Sequence, residues 1–481
     1  MGVGRDNARR RVAHMELIDD EGNLFGVVNV VDALVVLLVL AVVAAGAALV
    51  LQPDTTQAGP DLATTNATLD IGPQPAYIVS AIDEGDTHTA GGNSRLTITD
   101  VHLTPQGDRT RVILRVRLEA PSTGDGISYA NAPPRLGRSL SIATNRYEVS
   151  GDIRAVGRDT SLATGTTRVV LHDQMAAADA REITPGDEIR LAGRTVATIQ
   201  NVTAYATNNP RQRDVYVAAT LQAYRGQDGL RFGGSQVRRG QTVRLATDAY
   251  TFAGQIERVG TGLARAQADI VLEDTVDSET AARLNEGDMA TVAGQQVAEI
   301  ASVTTYATGN PDRRRVVVGA TVETLTYGER ERFGRAPIQR GSSITIATDA
   351  YTLSGAIERV GTLEPRGAVA TQTVTLRMTD VRQDMADAIQ PGMTERSSGE
   401  PIARITGVSV EPSLIITTAD DGSMNVVDHP FLREVTLTTE LQVRQTTGGV
   451  RFKGRSLRQG SQVVIDTGEI IIRAEVVSVG R

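Results

Sequence analysis

A chain of 481 residues, 22% charged and 40% hydrophobic, has room for three or four domain cores. It holds no cysteine, which excludes disulfides, zinc-thiolate sites, iron–sulfur clusters and thiol nucleophiles together, and five histidines leave little material for imidazole catalysis. Forty-nine basic residues against 57 acidic ones give a net charge of −8, so no basic field exists to hold nucleic acid. Lys453 is the sole lysine among those basic residues. Such an Arg-for-Lys bias suits a salt-rich setting or an Arg-rich codon usage.

In chain order, residues 1–24 read as a cytoplasmic tail. Residues 25–51 read as a transmembrane anchor, whose core from Ala33 to Leu51 runs 19 residues without a charge. At about 1.5 Å per residue, that core matches the hydrocarbon thickness of a bilayer and exceeds the apolar stretch of a cleaved signal peptide. Arg5, Arg9, Arg10 and Arg11 keep the N-terminus inside by the positive-inside rule and export the rest. A start at Met15 would remove those arginines. The small residues Ala44 to Ala48 permit close helix packing and hence a homo-oligomer. Residues 52–76, rich in Thr, Ala, Pro and Gly, read as a flexible linker. Asn66-Ala67-Thr68 in that linker and Asn201-Val202-Thr203 are N-glycosylation sequons; the second falls in a predicted strand, where chance is the better explanation.

Internal repetition dominates the remainder. Related segments close at Gly157, Gly260, Gly361 and Gly480, at spacings of 103, 101 and 119 residues. These periods exceed those of solenoid repeats, so each copy is a small domain. The copies span 77–157, 166–260, 267–361 and 370–481. Each has an opening extended segment, a short helical stretch (missing from the first copy, which opens with Tyr77), and a Gly turn expected to cap that helix, as at Gly186. A strand of strict period two follows, such as Val215, Val217, Ala219 and Leu221, and then a closing hairpin. The predicted fold is mainly β: a single N-terminal transmembrane helix followed by four tandem β-barrel-like domains, each with at most one short helix. Short linkers at 260–265 and 361–367 predict stiff stacking, with four separate cores.

Active-site patterns are lacking. The sequence has no Gly-x-Ser-x-Gly elbow, no His-Glu-x-x-His and no phosphate-binding Gly-Lys loop. His172 beside Asp173 reads as a surface pair, and Asp420-Asp421-Gly422 as a solvated turn without the spacing of a calcium loop. Tyr250 and Tyr351, equivalent in adjacent copies, read as caps over the closing hairpin. No catalytic, metal or cofactor residues are assigned, and the chain is not read as an enzyme.

The stretch from Ile18 to Asp32, with its Ile-Asp, Gly-x-Leu-Phe-Gly and Asn-Val-Val-Asp elements leading into an apolar helix, resembles domain-of-unknown-function family 4330. That resemblance implies a membrane anchor with an extracytoplasmic part and implies no reaction. The strand order around Ile189–Ile199 is similar to the mammalian-cell-entry (MCE) fold, which implies ring oligomers carrying lipid through a tunnel. Against a tunnel, the loops at 226–231 and 327–332 are charged. Two functions therefore remain: an anchored structural or interaction scaffold of the cell envelope, or a homo-oligomeric tube for lipid or other apolar cargo.

Overall fold

Period-two alternation buries one face of every long strand, and the four copies accordingly build four separate antiparallel sheets. They are seen in a computed structural model of the protein, which describes residues 23–24, 28–29, 35–43, 61–91, 93–124, 126–418 and 424–480.

Within residues 1–62, a two-residue hairpin pairs Asn23–Leu24 with Val28–Asn29, and residues 35–43 are helical. The apolar side chains of that helix are exposed, Leu37 by 65% and Val42 by 64%. Among the described residues no helix is long and apolar enough to cross a membrane. The rest of the expected 33–51 span and the N-terminal arginines lie outside the described residues.

Copy 2 shows the common plan. Opening strand Thr164–Ala176 leads through helix Ala177–Glu182 to a short strand, Glu188–Leu191. A second strand, Arg194–Ala206, turns into the long strand Gln212–Gly226. A small hairpin, Gly229–Phe232 with Ser235–Gln236, precedes the closing hairpin of Thr242–Ala246 and Thr251–Val259. The opening strand lies between the long strand and the last strand, so the sheet is held by contacts between its beginning and its end. Copies 3 and 4 repeat this order over Arg265–Val360 and Ala368–Val479, each with eight strands, and copy 1 has seven.

The curl has a local cause that recurs in every copy. The second strand carries an irregularity after Ile98, Ile199, Ile300 and Ile405, and the last strand carries an extra residue, Arg154, Glu257, Glu358 or Val477, opposite the step into Leu69, Leu171, Leu272 or Leu376 of the opening strand. A bulge bends and twists its strand, and these two, common to all four sheets, give the barrel-like form.

Three expectations are corrected. The segment 52–76 is not wholly a flexible linker: residues Leu62–Gln74 form the opening strand of copy 1, burying Ala67, Leu69 and Ile71. Copy 1 does have a helix, Ala76–Val79, only four residues long and without a side-chain cap. Gly186 is not a helix cap. Its helix ends at Glu182 with Ile183 extended, and Gly186 sits three residues on at φ +97°, where its N–H donates to Ile199 O at 2.8 Å. A side chain there would be strained by the left-handed backbone.

The cores are not four separate bodies either. Buried apolar side chains of copies 1 to 3 form one continuous cluster, and those of copy 4 form a second. Leu221 is fully buried in the first. Leu221→Ala should cost about 2–5 kcal/mol in urea unfolding. Hydrogen exchange should then quicken in copies 1 to 3 and stay unchanged in copy 4; equal quickening in all four would contradict the two-cluster arrangement.

Candidate functional site: the joints between copies

Each joint is built from the same two pieces. One is the turn between second and long strands, which reaches into the following copy. In copy 2, Asn208 Oδ1 accepts from Thr345 Oγ1 of copy 3 at 2.7 Å, and in copy 3, Gly309 O accepts from Arg473 of copy 4. The other piece is the turn after a buried phenylalanine of the following copy: Phe232-Gly233-Gly234, Phe333-Gly334-Arg335 and Phe452-Lys453-Gly454. The residue after the ring has a left-handed backbone in all three, at φ +62°, +57° and +50°. A Cβ at Gly233 would lie 2.7 Å from Pro105 O of copy 1, and one at Gly334 would lie 3.3 Å from Tyr205 Cβ of copy 2. The Phe333 ring meets Tyr205 edge-on at 4.7 Å.

Behind these turns stand polar pairs that span the opening and long strands at equivalent positions, salt bridges in copies 1, 3 and 4 and a histidine–carboxylate contact in copy 2. Asp70–Arg111 is 2.5 Å, His172–Asp214 is 3.4 Å, Glu273–Arg315 is 2.5 Å and Arg377–Glu434 is 3.8 Å. The first three abut the following copy: Arg111 lies against Gly234, Asp214 against Gly334, and Arg315 Nη1 donates to Lys453 O at 2.8 Å. The fourth faces no further copy among the described residues.

At the third joint, chemistry replaces space. Lys453 stands where copies 2 and 3 have glycine, and Glu395 stands where they have the core residues Ile189 and Ala290. Lys453 Nζ donates to Glu395 Oε1 at 2.5 Å and to Val464 O at 2.8 Å, and Glu395 Oε2 accepts from Asp466 N at 3.2 Å. Both side chains are almost wholly buried. Burial pushes the Glu395 carboxyl up and the Lys453 ammonium down, each opposed by the partner's charge.

A tyrosine–aspartate clamp ties the start of each of the first three copies to its closing hairpin. Tyr147, Tyr250 and Tyr351 donate to Asp86, Asp187 and Asp288, each at 2.7 Å. Burial works to raise the Asp187 carboxyl, but hydrogen bonds from Thr184 and Tyr250 hold it below its ordinary value. Tyr250 and Tyr351 thus do cap the hairpin, and their hydroxyls have structural partners. In copy 4 the corresponding residues are Met393 and Ile470, each packed against its core.

Clefts lie at these joints. One of about 470 Å³ between copies 1 and 2 is lined by Asp70, Arg111, Arg154, Tyr224, Asp228 and Arg231, and one of about 160 Å³ lies between copies 3 and 4 beside Lys453. In the first, Asp70 is taken by Arg111 and, at 3.6 Å, by Arg154. The charged loop at 226–231 thus borders copy 1. The loop at 327–332 packs on copy 2, with Arg258 5.6 Å above the Tyr327 ring and donating to Thr326 O.

Residues singled out from the sequence fall as follows. Asn66 is buried, with Nδ2 donating to Arg158 O at 2.9 Å, so the folded copy has no room for a glycan there. Asn201 is exposed at the bulge of its strand. His172 pairs with Asp214 and stacks on Tyr216 at 4.4 Å, while Asp173 only accepts from Gln174 N. Asp420 and Asp421 lie outside the described residues. Among those described, no cluster of three or more His, Asp or Glu could hold a metal. Sequence reasoning missed Lys453–Glu395 and His102. A lone lysine among 48 arginines was the available signal for the first. His102 is buried in the first joint with Nε2 unpartnered, and burial pushes it down to about 4.

The family resemblance read from residues 18–32 is borne out. A family model described as Domain of unknown function (DUF4330) matches residues 15–109 and 361–480. The matched segments take in the N-terminal part of copy 1 and the whole of copy 4, with copies 2 and 3 between them. No curated protein matches the chain.

Two measurements test the joints. Lys453→Gly or Glu395→Ile alone strands a buried charge and should cost about 3–5 kcal/mol, whereas the double substitution, which restores the residues of copy 2, should recover most of that loss in urea unfolding. His102 has an ordinary value of 6.5 and stays neutral in the fold down to about 4. Between those values the unfolded chain binds a proton that the folded chain refuses, so stability falls as pH falls, by up to about 3 kcal/mol at pH 4. His102→Thr, the residue at this position in copies 2 and 3, should remove that dependence from the unfolding free energy.

Proposed function

We propose that this chain, similar at both ends to the DUF4330 family, is a membrane-anchored extracytoplasmic scaffold of the cell envelope, carrying four β copies outward from a single N-terminal helix. The observation that carries the reading is the use of the polar groups. The polar pairs Asp70–Arg111, His172–Asp214 and Glu273–Arg315 and the Tyr–Asp clamps are spent on joining strands and copies. No group in the joint clefts is left in the arrangement of a nucleophile with its base. The reading therefore assigns no reaction and no cofactor. The apolar span 33–51 and the arginines before it support the anchor and its orientation. A lipid-carrying tube draws no comparable support, because the candidate pore loops at 226–231 and 327–332 border the preceding copies.

A natively cysteine-free chain makes topology directly measurable. With Asn201→Cys, a membrane-impermeant maleimide should label intact cells as fully as lysed ones. Labelling only after lysis would overturn the extracytoplasmic assignment, and recovery of the protein in the soluble fraction would overturn the anchor.

A further inference from the structure

Copy 4 departs from the others in the turn that makes each joint. Where copies 2 and 3 join second and long strands by short turns near Asn208 and Gly309, copy 4 extends both strands, to Glu400–Thr418 and Met424–Thr446. This accounts for most of its longer spacing of 119 residues. The extension is a two-stranded ribbon with Leu414 opposite Asp428 and Ile416 opposite Val426. It exposes Leu414, Ile416, Met424, Val426, Val427 and Phe431 by 48 to 74%.

We propose that this ribbon docks a second copy of this chain, the free edge of residues 412–418 pairing antiparallel with itself about a two-fold axis. Continuity with the existing joints is the first argument. The second strand of copies 1, 2 and 3 is the one that touches the next copy, and its counterpart in copy 4 meets no next copy among the described residues. Beyond Ile405, whose backbone bonds to Gly392 and Met393, the outer edge of that strand pairs with no further strand among the described residues. Its size is the second argument. Six large apolar side chains between residues 414 and 431 are exposed together, more than a monomer ordinarily leaves bare.

Symmetry supplies the third argument. Residues 412–419 hold no charge, with Glu411 before them and Asp420 after, so a self-paired edge sets no like charges opposite each other near its centre. A lone two-stranded ribbon is marginal, whereas two ribbons joined edge to edge form a four-stranded sheet. A lipid surface is disfavoured because Asp428 lies across from Leu414 and acidic residues 420 and 421 follow the apolar run. The inference deepens the scaffold reading by naming a partner, and it rests on that reading only in treating the joints as interaction surfaces.

Native mass spectrometry of the full chain in detergent should show twice the monomer mass at micromolar concentration. Leu414→Arg with Ile416→Arg should halve that mass. Both side chains are about two-thirds exposed, so the circular dichroism spectrum of the folded chain should be unchanged. Ile415→Cys should cross-link to its own mate under mild oxidation, while Asn201→Cys should not. A monomeric wild-type chain overturns the proposal, as does a dimer that survives the double substitution, which would place the contact elsewhere. Vesicle binding by a monomer, lost in the double variant, also overturns it and gives the ribbon to a lipid surface. None of these outcomes bears on the maleimide test of topology, so the two readings fail separately.

Discussion

How closely two backbones can approach at the residue after each buried phenylalanine decides how the copies are joined. At Gly233 the preceding copy's Pro105 carbonyl stands where a Cβ would be, so the first joint admits only glycine without a shift of backbone. At Gly334 the neighbour is the Tyr205 side chain, at a distance that demands a few tenths of an ångström. At the third joint the position carries a side chain, and the whole neighbourhood changes with it. A lysine at φ +50° cannot send its ammonium into a dry joint alone, so a carboxylate replaces a core aliphatic residue at 395 and the backbone carbonyl of Val464 accepts a second hydrogen bond. One steric constraint thus sets both the glycines of two joints and the buried ion pair of the third.

The polar pairs behind those turns follow from the same approach. A salt bridge on an open surface contributes little, because water screens it and two long side chains lose freedom. When the next copy covers one side, the pair is partly withdrawn from water and gains backbone acceptors, as Arg315 does from Lys453 O. Side-chain exposure records this: 10 to 35% in the first three pairs, 44 and 45% in the fourth. The sign of the charges is free to vary. Copies 1 and 3 put the acid on the opening strand, copy 4 puts arginine there, and copy 2 uses histidine against Asp214. Only complementarity is required.

Much of this architecture was legible in the sequence, and its gaps have physical reasons. Period-two runs such as Val215 to Leu221 announced half-buried strands, and the recurrence of whole segments announced four units of like fold. The opening strand of copy 1 was missed because its apolar period shows only in Ala67, Leu69 and Ile71, set among Thr, Pro and Gly residues that read as a tether. The four-residue helix at Ala76 lacks a capping side chain to mark it. The clamp between Tyr250 and Asp187 joins positions 63 residues apart, and nothing local pairs a tyrosine of one hairpin with the aspartate of a distant turn. The joints lay further out of reach, since they depend on which turn meets which, a matter of register and bulge rather than composition. Comparing the copies with one another held the one available signal: a lysine and a glutamate appearing together in copy 4 at positions that are glycine and aliphatic elsewhere.

Copy 4 is also where three departures coincide, and they are physically linked. It puts Met393 and Ile470 in place of the Tyr–Asp clamp, it carries the buried Lys453–Glu395 pair, and it lengthens the joint turn into a ribbon. The first two compensate each other. In copies 1 to 3 a clamp ties the turn before the short strand to the closing hairpin by one hydrogen bond from outside, whereas in copy 4 Glu395 of that strand accepts from Lys453 and from Asp466 N of the closing hairpin from inside. The tie has moved from the rim of the sheet to its interior, where the lower dielectric strengthens it and makes each partner indispensable to the other. The third departure changes what the outer face offers. In copies 1 to 3 that face presents a short polar turn backed by a partly buried polar pair, suited to a successor with a glycine turn. In copy 4 the pair is open to water and the turn has become an apolar strand edge, so whatever meets this end must bring apolar surface and unpaired backbone rather than a phenylalanine turn.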